Sequence, residues 1–166
     1  MGMGRIKAMA NSSQKIYMLT EGGTLHSIYP SSELSAQTCI MTSIRSRIRQ
    51  IVFPHNFSQV FACMCSRSIT IFRTEDQKEL LTINLQDDVG INVKANRMEF
   101  TADGRSIVTA WTDGKVRAFA PQSGKLIYII KDAHSIAPHS PSIKYANQHG
   151  FTTAPGVTCL NTSANC

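Results

Sequence analysis

Charge is scarce in this chain: 17% of its 166 residues are Asp, Glu, Lys or Arg. Soluble domains usually carry about a quarter, and a charge-solvated disordered chain carries more, so that class is excluded. Long apolar runs are missing too. No stretch reaches the roughly 18 consecutive apolar residues that a membrane-spanning helix needs. The N-terminus, Met1-Gly2-Met3-Gly4-Arg5-Ile6-Lys7, has no apolar region behind its basic residues, so no secretory signal is expected. Cysteine is sparse and odd in number, at five. Without export this predicts reduced thiols in an intracellular setting.

Catalytic motifs are also lacking. There is no Gly-x-Ser-x-Gly and no Gly-rich loop ending in Lys-Ser or Lys-Thr, so neither a nucleophile elbow nor a phosphate cradle is expected. Cys63 and Cys65 share one strand face. Zinc needs four ligands, usually from two such pairs, and no second pair exists, so two buried small residues are expected instead. His26, His55, His134, His139 and His149 show no ligand spacing. Asp87 and Asp88 are adjacent, which in a strand sends them to opposite faces rather than into one acid–base pair. The expectation is no enzyme, no cofactor and no metal.

The chain has 17 Lys and Arg against 11 Asp and Glu, a net charge of +6. An acidic partner fits that balance, but nucleic acid would call for a denser basic footprint interleaved with aromatics. One local cluster stands out. Arg45, Arg47 and Arg49 are spaced by two, which in an extended segment puts three guanidinium groups on one face. They are candidate protein-contact residues, weighed against the plainer reading of a solvated strand face.

What the chain does have is a repeat. Sliding Ile51–Ile83 by 47 residues onto Met98–Ile130 makes twelve of 33 positions apolar in both copies. Phe53 meets Phe100, Val60 meets Ile107, Ile69 meets Val116, Phe72 meets Phe119 and Ile83 meets Ile130. Within each copy the apolar clusters are four to six residues long, and turn formers separate them. Asp103-Gly104, Thr112-Asp113-Gly114 and Pro121-Gln122-Ser123-Gly124 mark the second copy, and Asp-Gly suits tight hairpins. The copy at Ile51–Ile83 fits the same scheme with a weaker turn in its last hairpin. Upstream, Lys15–Thr20, Glu21-Gly22-Gly23 and Thr24–Tyr29 repeat the strand–turn–strand unit, with an outer strand expected over Ala36–Thr42. These clusters are too short for helices and rich in β-formers. Ile107, Val108, Ala110 and Trp111 are apolar on both faces, so each sheet must be covered on both sides. The expected class is all-β.

A four-stranded unit of 40–50 residues that needs cover on both faces reads as a β-propeller blade. The stretch Ile107–Pro121, with Asp103–Ile107 before it and Gly124–Tyr128 after it, resembles the WD40-repeat β-propeller family, and within it a branch of motile cilia and flagella. Lys78–Ile83 and Ile51–Pro54 match that branch's preceding blade, and Asp132-Ala133-His134 sits where a WD40 repeat carries its Gly-His-type dipeptide. The resemblance implies that Asp103, Gly104, Trp111, Asp113, Gly114, Phe119 and His134 are structural turn and packing positions. The Trp-Asp pair that names the repeat is replaced by Phe72-Arg73 and Phe119-Ala120.

The expected organisation is a flexible segment over 1–14, then blades over about 15–46, 47–92 and 93–134, the first of them partial. Residues 135–166 form a low-order tail that departs from the family, rich in Pro, Ser, Thr and Asn. They read as an unstructured extension or as the product of a shifted or alternative reading frame. A ring takes about 4–8 blades, so this set cannot close, and marginal stability with a tendency to associate follows. The resemblance implies a non-catalytic protein-interaction role in the axoneme, as a microtubule inner protein with tubulin and other axonemal proteins as partners. It implies no nucleic acid and no membrane. The alternative is a generic cytoplasmic WD40 scaffold for another complex.

Overall fold

The computed structural model describes residues 4–12, 15–28, 36–40, 48–56, 59–85, 93–131, 133, 157 and 159–161. Every regular element among them is a strand, and the strands form three four-stranded antiparallel sheets. The first sheet takes β1 (Ile6–Asn11), β2 (Ile16–Thr20), β3 (Thr24–Ile28) and β4 (Ala36–Ile40) in order. The second takes β5 (Gln50–Val52), β6 (Val60–Met64), β7 (Ser68–Arg73) and β8 (Glu79–Asn84). The third takes β9 (Ala95–Phe100), β10 (Ile107–Trp111), β11 (Val116–Phe119) and β12 (Leu126–Ile130). Each is a meander of neighbours in sequence, the arrangement of a propeller blade.

One expectation is corrected at the N-terminus. The flexible segment over 1–14 contains β1, which pairs with β2 from Ile6↔Thr20 to Asn11↔Ile16 and gives the first sheet its fourth strand. Ala8 and Ala10 pack against the core while Lys7, Met9 and Asn11 are exposed. The inward residues are only alanines, so the strand lacks the large inward side chains that mark the others.

The turns follow from their residues. The Asp113 carboxylate accepts the Lys115 N–H at 3.2 Å, Asp103 accepts the Arg105 N–H at 3.0 Å, and Asp76 accepts the Lys78 N–H at 3.1 Å. All three are aspartates bonding the backbone two residues on, which stabilises a turn locally. Gly114 has φ of 77°, a conformation that a Cβ disfavours.

Two hydrophobic layers join the three blades. Tyr17, Leu19 and Leu25 of the first blade meet Ile51, Phe53, Phe61, Cys63 and Phe72 of the second. Aromatic rings run through this layer, with Tyr17–Phe53 at 4.5 Å, Phe53–Phe61 at 5.4 Å and Phe61–Phe72 at 5.3 Å between centroids. On the opposite face of the second blade, Ala62, Met64, Ile69 and Ile71 meet Met98, Phe100, Ile107, Trp111 and Phe119 of the third. Each large side chain so buried contributes about 1.5–3 kcal/mol, and each blade buries its apolar face against a neighbour.

The repeat is real, but its alignment needs two compensating one-residue shifts. Phe61 pairs with Phe72, and Ile107 pairs with Phe119. Phe72 and Phe119 are 47 apart, as the ungapped slide has it, whereas Phe61 and Ile107 are 46 apart. Val60 therefore does not occupy the place of Ile107. The loop before β10 is one residue shorter than that before β6, and the turn after β10 is one residue longer. A one-residue slip exchanges the two faces of a strand, and these strands are apolar on both, so the hydrophobic pattern hides it.

Candidate protein-contact surfaces

The third blade is built around a buried polar network. Asp113 lies in the turn after β10, and Arg117 lies on β11, four residues on. The Arg117 guanidinium donates to both carboxylate oxygens of Asp113, at 3.1 Å and 2.6 Å, and its central carbon stands 4.7 Å from the Trp111 ring centroid. The Trp111 Nε1–H donates to Thr109 Oγ1 at 2.7 Å, and that hydroxyl donates to the Arg117 carbonyl at 3.0 Å. Trp111, Thr109 and Arg117 are all buried. Burial works against ionised Asp113. The hydrogen bonds from Arg117 and the Lys115 amide, with the charges of Arg117 and Lys115, outweigh it and hold its carboxyl below the usual range. Asp103 is exposed and its carboxyl is also held low, first by the Thr101 hydroxyl and then by the Arg105 amide. Gly104 is buried with φ of 67°, and Phe119 packs toward the second blade. His134 lies outside the described residues. Thr109 and Arg117 were missed from sequence. The available signal was a cation inside an apolar strand four residues after a turn aspartate.

Three side chains of the second blade tie it to the third. Arg49 donates from Nη1 to the Ala95 carbonyl at 2.8 Å. The Gln50 amide donates to the Met98 carbonyl and accepts the Met98 N–H, each at 2.9 Å. Asn56 donates to the Ala102 carbonyl at 2.7 Å. Of the arginine cluster, Arg45 and Arg47 lie outside the described residues. Arg49 is exposed, yet one of its N–H groups is spent inside the molecule.

The strands β1 and β5 border an open, polar cleft of about 510 Å3 whose lining includes Asn11, Gln50, His55, Arg97 and Glu99. Burial raises the Glu99 carboxyl above its ordinary value, and Arg97, His55 and the Gln50 hydrogen bond partly restrain the rise. Cys63 and Cys65 are buried in the layer between the first two blades. Burial, and then the neighbouring Cys65, push the Cys63 thiol up, so it stays protonated. Among the described residues no group of three or more His, Cys, Asp and Glu could hold a metal, and no helix is long and apolar enough to cross a membrane.

The outermost strand of the third blade is unlike its counterpart. Leu126, Ile127, Tyr128, Ile129 and Ile130 are all exposed. Tyr128 pairs with Ala118 and Ile130 with Val116, just as Leu81 pairs with Ile71 and Ile83 with Ile69 one blade earlier. Ile83 is 6% exposed because the third blade covers it, whereas Ile130 is 48% exposed. The far face of the third blade, with Val108, Ala110, Val116 and Ala118 at its centre, is where a further blade would pack.

Three meandering blades with this repeat and these layers define a segment of a β-propeller. Among solved structures, the β-propeller domain of Cps50 (Swd1) from Myceliophteria thermophila matches with a TM-score of 0.58 at 12% identity, over 76% of this chain and 42% of that one. That likeness shows the fold. No protein-family model matches the chain. By sequence, the chain is similar to cilia- and flagella-associated protein 52. It is 33% identical to the human protein and 34% to that of Mus musculus, each over 130 residues, 78% of this chain. The Chlamydomonas reinhardtii protein is 33% identical over 131 residues. The chain spans 17% of the length of the two mammalian relatives and 20% of the algal one. By fold it is part of a β-propeller, and by sequence it is similar to cilia- and flagella-associated protein 52 over 78% of its length.

Proposed function

We propose that this chain serves as a non-catalytic protein-interaction segment of a motile-cilium axoneme, acting as a microtubule inner protein that stabilises the doublet. The observation that carries this reading is the similarity to cilia- and flagella-associated protein 52 across 78% of the chain. The surface chemistry agrees with it. A chain of net charge +6 is attracted to acidic partners, and tubulin is such a partner. Rigid blades hold exposed loops and edges in fixed positions, which suits recognition of a protein lattice. Candidate contacts are Arg45 and Arg47, with Arg49 sharing its guanidinium between the blade seam and the partner.

Co-sedimentation with axonemal doublet microtubules tests this. The expected result is pelleting at low ionic strength that weakens as salt rises, because exposed charge pairs are screened beyond about 10 Å at 0.1 M. The double substitution R45A/R47A weakens it further. A chain that stays in the supernatant at low salt contradicts the axonemal reading and favours a cytoplasmic WD40 scaffold.

A further inference from the structure

We propose that Val157 opens the inner strand of a fourth blade, so that Val157, with Leu160 beside it, covers the far face of the third blade in place of a foreign partner. The argument is a repeated pair of hydrogen bonds. Where the third blade joins the second, the first residue of its inner strand, Ala95, donates its N–H to the Ser66 carbonyl in the β6–β7 turn at 3.4 Å. The Ala95 carbonyl accepts Arg49 Nη1 at 2.8 Å. One blade on, Val157 donates its N–H to the Trp111 carbonyl, at the start of the β10–β11 turn, at 2.9 Å. Its carbonyl accepts Asn96 Nδ2 at 2.9 Å. Asn96 follows Arg49 by 47 residues, the period of the repeat. A side chain from the same position of each blade thus reaches forward to hold the carbonyl of the next.

Burial follows the same plan. Ala95 is buried against the face formed by Ala62, Met64, Ile69 and Ile71. Val157 is buried against Val108, Ala110, Val116 and Ala118, with Ala133 and Leu160 packed beside it. These two sets of four are equivalent, since Ala62↔Ile71 and Met64↔Ile69 in one blade correspond to Val108↔Ala118 and Ala110↔Val116 in the other. Val157 therefore has the donor and the apolar bed of Ala95, with its acceptor one position earlier, at the end of β10. The low-order reading of residues 135–166 is corrected at this point. A Pro- and Ser-rich surrounding sequence concealed a docked residue, because one valine with a neighbouring leucine makes no periodic pattern.

The test is amide hydrogen exchange on the full chain, resolved at Val157, with Trp111 emission as a check that the blade is folded. The Val157 amide is expected to exchange far more slowly than in an unstructured peptide. In Asn96→Ala its exchange speeds up about tenfold, the scale of one lost hydrogen bond, while the Trp111 emission stays that of a buried indole. Val157→Asp, which cannot be seated in an apolar bed, raises binding of a hydrophobic dye at the exposed face. Exchange of the Val157 amide at the unstructured rate overturns the inference, as does indifference to Asn96→Ala. Protection that disappears on dilution assigns the contact to a second copy and overturns it as well.

Discussion

Arg117 donates to both oxygens of Asp113, 2.6 Å from one and 3.1 Å from the other, while its guanidinium lies over Trp111. Asp113 sits in the β10–β11 turn and Arg117 on β11, where it is 4% exposed. A buried cation that loses its partner costs about 3–5 kcal/mol. Asp113→Ala is therefore expected to cost about 3 kcal/mol, the lower end because part of the carboxylate reaches solvent. Arg117→Met combined with Asp113→Asn is expected to recover most of that, since no unpaired charge remains. Denaturant titration of the wild type and the two variants, followed by Trp111 emission, checks this.

The same pair sets an acid limit. The folded-state value of Asp113 is held below the ordinary aspartate value, so its contribution is fully present above that ordinary value and is lost as pH falls through the lower one. Wild-type stability should fall more steeply below about pH 4 than that of Asp113→Asn, as ionisation linkage requires. Parallel acid-denaturation curves are the expected contradiction.

Glu99 works in the opposite sense. Its folded-state value is raised, chiefly by burial, so ionising it in the native state costs stability as pH rises through the raised value. Glu99→Gln keeps an acceptor for Gln50 and removes the charge. It is expected to be the more stable protein at neutral pH, with the gain disappearing below the ordinary glutamate range. Thermal melts at pH 4 and pH 7 decide the sign.

The last hairpins of the second and third blades place different residues at their left-handed position. Gly124 has φ of 70°, and Gln77, 47 positions earlier, holds φ of 50°. Left-handed backbone costs a residue with a Cβ about 1–2 kcal/mol, so Gln77→Gly is expected to stabilise by roughly 0.5–1 kcal/mol once the extra freedom of the unfolded glycine is subtracted. Gly124→Ala is expected to destabilise. Its new Cβ would stand 3.2 Å from Ile83 Cγ1, in a conformation that already disfavours it.

Much of this architecture was legible because the blades are apolar on both faces and their turns are written in aspartate and glycine. Asp103, Asp113 and Gly114 announced the hairpins, and Phe72 and Phe119 marked equivalent strand ends. The same two-faced hydrophobicity concealed the shift between Phe61 and Ile107, because either register looks apolar. β1 was illegible because its inward side chains are Ala8 and Ala10. Arg117 was illegible because its partner, Asp113, already had an explanation as a turn former. Val157 was illegible because its role comes from Trp111 and Asn96, 46 and 61 residues away, and not from its neighbours.

The exposed outer strand predicts association. Tyr128 and Ile130 lie on the exposed outer strand of the third blade, and exposed apolar edges recruit other chains. Tyr128→Lys with Ile130→Lys is expected to reduce self-association in sedimentation velocity and to leave the melting temperature almost unchanged, since both side chains are already exposed. A large loss of stability would mean that they are covered.

Cysteine placed at two equivalent positions tests the blade account most directly. Ile83→Cys and Ile130→Cys are prepared separately and labelled under native conditions with iodoacetamide, with labelling read by peptide mass so that Cys159 does not interfere. Stacked blades with an open end predict that the thiol at position 130 reacts like a free one. The thiol at position 83, covered by the third blade, reacts on the order of 100-fold more slowly because local opening must come first. Equal rates at the two positions would contradict the stack.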